Sequence, residues 1–231
     1  MNPLLAKRLS AALARHGWRV QRTVDGEPNP AHLWATDEKF QAAMQGPRSR
    51  SLVHDAACYV LYRSLQTTAG LDGDVAEVGV YRGGTALLIA RAVERGTRVH
   101  LFDTFTGMPD ADVTRDMHRA GDFADTSLEA VRSLFADNPD VVLHPGFFPD
   151  TAAPEGDRKF RLVHVDVDIH RSVLDCCEFF YPRLVPGGVL VFDDYGWTST
   201  VGARDAVDDF FSGRYETPVY LPTGQALVLK R

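Results

Sequence analysis

Two pairs of aspartates could do chemistry in this chain: Asp166 and Asp168 in Val-Asp-Val-Asp, and Asp193 and Asp194 in Phe-Asp-Asp-Tyr. Each pair ends a short apolar run, residues 162–165 and 189–192, that reads as a buried parallel strand. Between the runs lies a helical stretch ending in Leu-Val-Pro-Gly-Gly, so strand, helix and strand form one crossover unit. Neighbouring strands lie about 4.8 Å apart, which brings both pairs to one edge of the sheet. Asp166 and Asp168 share a side if the extended backbone continues through them. Each close carboxylate pair repels by about 4 kcal/mol at roughly 4 Å and an effective dielectric near ~20, so a positive partner is expected. A hard divalent cation suits such oxygen ligands, and no histidine or cysteine cluster has zinc spacing. The competing role for these acids is capping helices or facing water.

A second constellation precedes the first helix of the main domain. Residues 76–85, Ala-Glu-Val-Gly-Val-Tyr-Arg-Gly-Gly-Thr, join a strand to a helix through glycines that let the backbone approach a ligand. The spacing is not G-x-G-x-x-G and no G-K-[ST] follows, so neither the dinucleotide nor the P-loop fingerprint is present. Glu77 stands where a cofactor phosphate would otherwise lie close. An acid there suits a cationic ligand, such as the ammonium and sulfonium of S-adenosylmethionine. Asp103, at the tip of the next strand, can accept hydrogen bonds from both hydroxyls of a ribose. Phe105, Met108 and Phe147 offer an apolar slot for adenine. The residues point to an adenosine-type cofactor beside a carboxylate-bound metal.

The elements needed to position these residues are legible as an alternation. Strands are predicted at 75–78, 98–102, 141–144, 162–165 and 189–192, with two more near 216–219 and at 226–229; helices are predicted at 52–65, 85–94, 128–135, 173–184 and 203–211. Apolar strands separated by helices specify an α/β fold with a doubly wound, mostly parallel seven-stranded sheet, Rossmann-like and covered on both faces. Residues 25–36 read as a loop and 48–51 as a junction, and Thr126-Ser-Leu-Glu129 offers a capping box. The stretch 103–125 is too long for a plain connection and marks a functional loop. Residues 1–70 form a helical N-terminal extension and 71–231 the catalytic domain.

The chain has 231 residues, 45% hydrophobic, with no run of 18 apolar residues, so no membrane partner is expected. A formal net charge of -6 argues against nucleic acid as a partner. Residues 1–24 hold Lys7, Arg8, Arg15, Arg19 and Arg22 and no acid, which resembles a transit peptide. The stripe Leu4, Leu5, Leu9 and Leu13 favours an amphipathic packing helix and a homo-oligomer instead. Cys58, Cys176 and Cys177 suggest no disulfide framework, and the expected compartment is the cytoplasm.

Five segments in order, E-V-G-V-Y-R-G-G-T (77–85), F-D-T-F-T-G-M-P (102–109), P-G-F-F-P-D-T (145–151), H-V-D-V-D (164–168) and Y-P-R-L-V-P-G-G-V-L-V-F-D-D-Y-G (181–196), resemble the macrocin O-methyltransferase-like (TylF-type) family of natural-product tailoring enzymes. The resemblance covers about residues 74–211. It implies a class I, S-adenosylmethionine- and Mg²⁺-dependent O-methyltransferase acting on a hydroxylated small molecule, with a glycosyl hydroxyl as acceptor. By matching motif, Glu77, Gly79 and Gly83 line the methionine end and Asp103 holds the ribose. Gly121, Asp122, Phe123, Gly146 and Phe147 surround the adenosine. Tyr81, Thr85 and Thr104 complete the cofactor set, which Asp166 also touches. Asp166, Asp193 and Asp194 bind the metal, and Asp168 is the general base. His170 stands where the family usually carries tyrosine; it is the alternative base, weighed against a helix-start role. In such enzymes the N-terminal segment also helps cover the acceptor. Histidines 100, 144 and 164 read as structural, and Trp18, Trp34 and Tyr59 as core. The rival readings are a catechol or phenol O-methyltransferase, a metal-dependent phosphoester hydrolase, a nicotinamide dehydrogenase and a non-enzymatic homologue.

Overall fold

Runs of valine, leucine and phenylalanine pair side by side to build a sheet whose strands are buried on both faces. The structure, a computed structural model, describes residues 33–155 and 157–231. The predicted N-terminal stripe, Trp18 and most of the predicted 25–36 loop lie outside the described residues. Asp37–Arg231 is one compact unit; of the other, Met1–Thr36, the structure describes a helical turn, Leu33–Thr36, where a loop was expected.

The sheet comprises β1 (Asp74–Val78), β2 (Val99–Asp103), β3 (Val141–Pro145), β4 (Phe160–Val165), β5 (Leu184–Phe192), β6 (Val219–Tyr220) and β7 (Ala226–Leu229) in the order β3-β2-β1-β4-β5-β7-β6. The first five run parallel, whereas β7 lies antiparallel to β5 and β6 antiparallel to β7. Register aligns Val78 with Phe102 and Val165, and Val165 with Phe192. The residues that follow, Gly79, Asp103, Asp166 and Asp193, therefore leave the sheet in one row. Strand order reverses between β1 and β4, so this row lies at the topological switch point, where open α/β sheets bind ligands.

Alternation along the strands feeds two cores. Ala76, Val78, Val163, Val165, Leu190 and Phe192 face one core, shared with α5 (His170–Phe180) and α6 (Val201–Phe211). Val75, Val99, Leu101, Leu162, Val189 and Val191 face the other, shared with α2 (Asp55–Thr67), α3 (Gly84–Ala92) and α4 (Leu128–Leu134). A further helix, α1 (Glu38–Ala43), carries the buried Phe40, against which the Tyr59 ring packs edge-on at 5.1 Å. In the first core Phe180 is fully buried, stacked on Phe148 and edge-on to Phe160 and Phe179. Cys176 and Cys177 lie there too, with burial pushing both thiols up.

Several predicted boundaries move, each for a local reason. The helix expected over 173–184 begins at His170 and stops at Phe180; Pro182 lies within a 3₁₀ turn, Tyr181–Arg183, that follows it. The Leu-Val-Pro-Gly-Gly segment opens β5 instead of ending a helix, because Pro186 and a positive-φ Gly187 cannot continue one. The strand expected near 216–219 shrinks to Val219–Tyr220: Pro218 has no N–H for a ladder, and Glu216 accepts the Tyr181 hydroxyl at 2.5 Å. Capping of α4 slips by one residue, since Ser127 accepts from Ala130 N while the Thr126 hydroxyl donates to the Tyr81 carbonyl.

Phe180→Ala should destabilise the domain by about 3–5 kcal/mol, read as a lower urea midpoint with an unchanged slope.

Candidate active site

The chain crosses from β1 into α3 through backbone that only particular residues tolerate. Gly79 has φ +90°, and a Cβ there would lie 1.7 Å from the Asp166 carbonyl oxygen, so any side chain would force β1 and β4 apart. Val80 and Tyr81 N–H donate to Asp103 Oδ2 at 2.7 and 2.9 Å, and Phe105 N–H donates to Oδ1 at 2.6 Å. A carboxylate offers about four acceptor positions, so Asp103 closes the loop and keeps one free for a ligand hydroxyl. Among the described residues, the non-glycine residues with positive φ are Tyr81, Phe105, Phe123 and Asp168, all in the segments around this edge. Strained backbone gathered at one place is characteristic of functional sites.

The carboxylates meet as the register requires. Asp166, Asp193 and Asp194 each offer an oxygen, and these lie within 4.8 Å of one another. Burial, reinforced by the neighbouring negative charges, holds the Asp166 and Asp194 carboxyls well above the usual range. Hard oxygen donors this crowded, in a site that disfavours their charge, fit a divalent cation. Asp168 behaves differently. The extended backbone does not continue past Val165; Asp168 turns at φ +58°, and its N–H donates to Asp194 Oδ2 at 2.9 Å. Its own carboxylate lies outside the trio, with Oδ1 3.6 Å from His118 Nε2. Burial raises its pKa and the nearby imidazole opposes the shift.

Behind the trio the acids are wired together. His164 is fully buried, with Nδ1 2.9 Å from Glu77 Oε1 and Nε2 3.6 Å from Asp193 Oδ1. Burial alone would lower this imidazole; the two carboxylates outweigh it and hold the pKa well above the ordinary histidine value. Gln225 Nε2 donates to Asp193 Oδ1 at 2.7 Å. Glu77 Oε2 is buried without a hydrogen-bond partner.

One cavity of about 280 Å³ gathers most of the predicted site. Gly79, Tyr81, Thr85, Asp103, Thr104 and Met108 line it, as do Phe123, Gly146, Phe147 and all four aspartates of the two pairs. Other predicted residues lie elsewhere. Glu77 sits behind the wall. Gly83 caps α3 at φ +80° and packs on Leu134. Phe105 enters the core instead of forming an adenine slot, its backbone being turned by the Asp103 bond. Gly121 and Asp122 shape the long loop: Gly121 N–H donates to Met108 O, and Asp122 accepts from Arg119 N–H and faces His118. His170 is outside the lining. Arg115 can only donate, so at 2.8 Å His170 Nε2 must accept, and its lone pair is taken. His100 and His144 bond to each other at 3.0 Å within the sheet. Sequence reasoning missed residues 50–54, Trp197 and His118. Trp197 carried a signal, lying just past Asp193-Asp194, and so did His118, inside the long loop; residues 50–54 carried none.

The sequence matches the Macrocin-O-methyltransferase (TylF) family over residues 31–218. Over 164 residues it is 38% identical to the 8-demethyl-8-(2,3-dimethoxy-alpha-L-rhamnosyl)-tetracenomycin-C 4'-O-methyltransferase of Streptomyces olivaceus, covering 63% of this chain and 60% of that protein. It is 31% identical over 159 residues to the mycinamicin III 3''-O-methyltransferase of Micromonospora griseorubida, covering 61% of each. The chain thus spans about three-fifths of the length of these curated relatives. Among solved structures, the O-methyltransferase NovP aligns with a TM-score of 0.70 at 23% identity, covering 78% of this chain and 82% of that one, a likeness of fold. With the family match spanning most of the sequence on a doubly wound class I methyltransferase fold, the chain belongs to the macrocin-O-methyltransferase (TylF) family.

Proposed function

We propose that this chain is an S-adenosylmethionine-dependent O-methyltransferase that uses Mg²⁺ to methylate a hydroxyl, on a sugar, of a small secondary metabolite. The observation that carries the reading is the aspartate trio opening into the same cavity as the glycine loop at the switch point. A sugar hydroxyl is favoured over a phenol because the tetracenomycin relative is named for a rhamnosyl-bearing acceptor. A phosphoester hydrolase would have no use for the buried Glu77 acceptor or for the Asp103 turn.

S-adenosylmethionine, when bound, supplies an electrophilic methyl group, and Mg²⁺, when bound, lowers the pKa of an acceptor hydroxyl. The chain's residues do the rest. The loop at Gly79–Thr85 lets the cofactor approach the backbone, the free acceptor position of Asp103 takes a ribose hydroxyl, and Tyr81, Met108, Phe123 and Phe147 flank the adenosine. Asp166, Asp193 and Asp194 hold the cation. Asp168, outside the trio but in the same cavity, accepts the hydroxyl proton; its raised pKa makes it a better base than an exposed carboxylate. His118, backed by Asp122, steadies that carboxylate. Residues 50–54, which line the same cavity, support a part for the expected 1–70 extension in covering the acceptor. Among the described residues no helix is long and apolar enough to cross a membrane.

Calorimetry should show S-adenosylhomocysteine and Mg²⁺ binding to the wild type. Asp193→Asn/Asp194→Asn should lose the metal heat while keeping the nucleotide within about threefold; absence of nucleotide binding in the wild type would sink the reading. Asp168→Asn should lower kcat by about 10²–10⁴-fold with both ligands still bound. Near-normal turnover would remove Asp168 as the base.

A further inference from the structure

We propose that Trp197 is the platform on which the acceptor stacks, and that it takes a saturated, hydroxylated six-membered ring: a pyranose. The inference rests on the methyltransferase reading and deepens it.

Strand order divides the cavity. Along the row β2-β1-β4-β5, Asp103 and Gly79 occupy one end, and Asp166 and Asp193 follow. The cofactor residues belong to the β2 and β1 end. An acceptor whose hydroxyl reaches the trio must approach from beyond β5. Trp197 is there, three residues after Asp194 and in the lining of the same cavity. Its position is fixed relative to the acid, because Thr200 Oγ1 donates to the Asp194 carbonyl at 2.6 Å and Thr200 N–H to the Trp197 carbonyl at 3.3 Å.

The indole is clamped on its protein side. Gly224 packs so closely that a Cβ would lie 2.6–2.8 Å from Cε2, Nε1 and Cζ2, and Gly196 N–H ties the segment to the Gly224 carbonyl at 2.7 Å. His54 meets the ring edge-on at 6.1 Å and 84°. That imidazole is itself fixed, its Nε2 donating to Thr223 O at 3.0 Å and its Nδ1 accepting from Ala57 N–H at 3.3 Å. Held this firmly, Trp197 still leaves 44% of its surface exposed, and the more exposed Leu52, at 71%, lines the same cavity. A rigid, half-bare indole in the same cavity as the aspartates offers its negative ring face as a stacking surface. A pyranose matches that surface: its axial C–H bonds present a weakly positive face to the ring, while its hydroxyls point outward toward the rest of the cavity.

The test titrates the full chain, loaded with S-adenosylhomocysteine and Mg²⁺, with methyl α-L-rhamnopyranoside by calorimetry and indole fluorescence. Wild type, Trp197→Leu and Trp197→Tyr are compared, with catechol as the second probe. The expected result is saturable quenching in the wild type, at least about tenfold weaker sugar binding in Trp197→Leu, and retention within about threefold in Trp197→Tyr, all with unchanged nucleotide affinity. Sugar binding unaltered in Trp197→Leu, or a saturable response to catechol and none to the sugar, overturns the proposal while nucleotide binding leaves the methyltransferase reading standing. A wild type that binds no S-adenosylhomocysteine overturns both.

Discussion

Buried negative charge sets the terms for this fold. Glu77, Asp166, Asp193 and Asp194 leave adjacent strands within a few residues of one another, and three of them converge to within 4.8 Å. At that distance and an effective dielectric near ~20 each pair repels by about 3–4 kcal/mol, a penalty that loosely held strand ends would relieve by splaying. The sheet does not splay because other groups hold its edge together. His164 spans Glu77 and Asp193, Gln225 ties Asp193 to the far side of β5, and the Asp168 N–H turns back onto Asp194. Much of what surrounds the site can be understood as bracing for these acids.

The same logic extends to the long connection after β2. Residues 104–127 contain no helix or strand, yet the loop has a definite shape. Met108 and Gly121–Asp122 exchange backbone hydrogen bonds, Asp116 Oδ1 accepts the His170 N–H at the start of α5, and Arg115 reaches the His170 ring. Asp116 also sits where a Cβ on Gly202 would lie 2.1 Å from its carboxylate, so the loop is seated against α6 as well. The loop is thereby held to the element that follows Asp168, and His118 is carried to within 3.6 Å of that carboxylate.

How much of this was readable beforehand follows from which interactions are local. The strand ends, the glycine turn and the meeting of the two aspartate pairs at one edge were legible because apolar runs fix register and register fixes what emerges at the edge, whereas the choice of Asp166, Asp193 and Asp194 came from the family resemblance. Asp168 was misplaced, since nothing in Val-Asp-Val-Asp announces a left-handed residue that ends the extension. Phe105 was assigned to a slot and entered the core for the same kind of reason: its direction depends on a carboxylate two residues earlier. His164 read as a plain strand histidine, because its partners come from β1 and from the end of β5. Residues 50–54 reach the cavity only through the packing of α2 and α3, which no local pattern encodes.

One consequence concerns how this cavity can diversify. Gly79 and the Asp166 backbone touch with no room for a side chain, so the aspartate-bearing half of the cavity is frozen by strand geometry. Other parts of the wall are made from pieces that are not part of that contact: Leu52 and His54 before the sheet and Trp197 beyond β5, the last backed by Gly224. A lineage can therefore rewrite those parts of the wall one segment at a time, while the aspartate-bearing half is inherited intact.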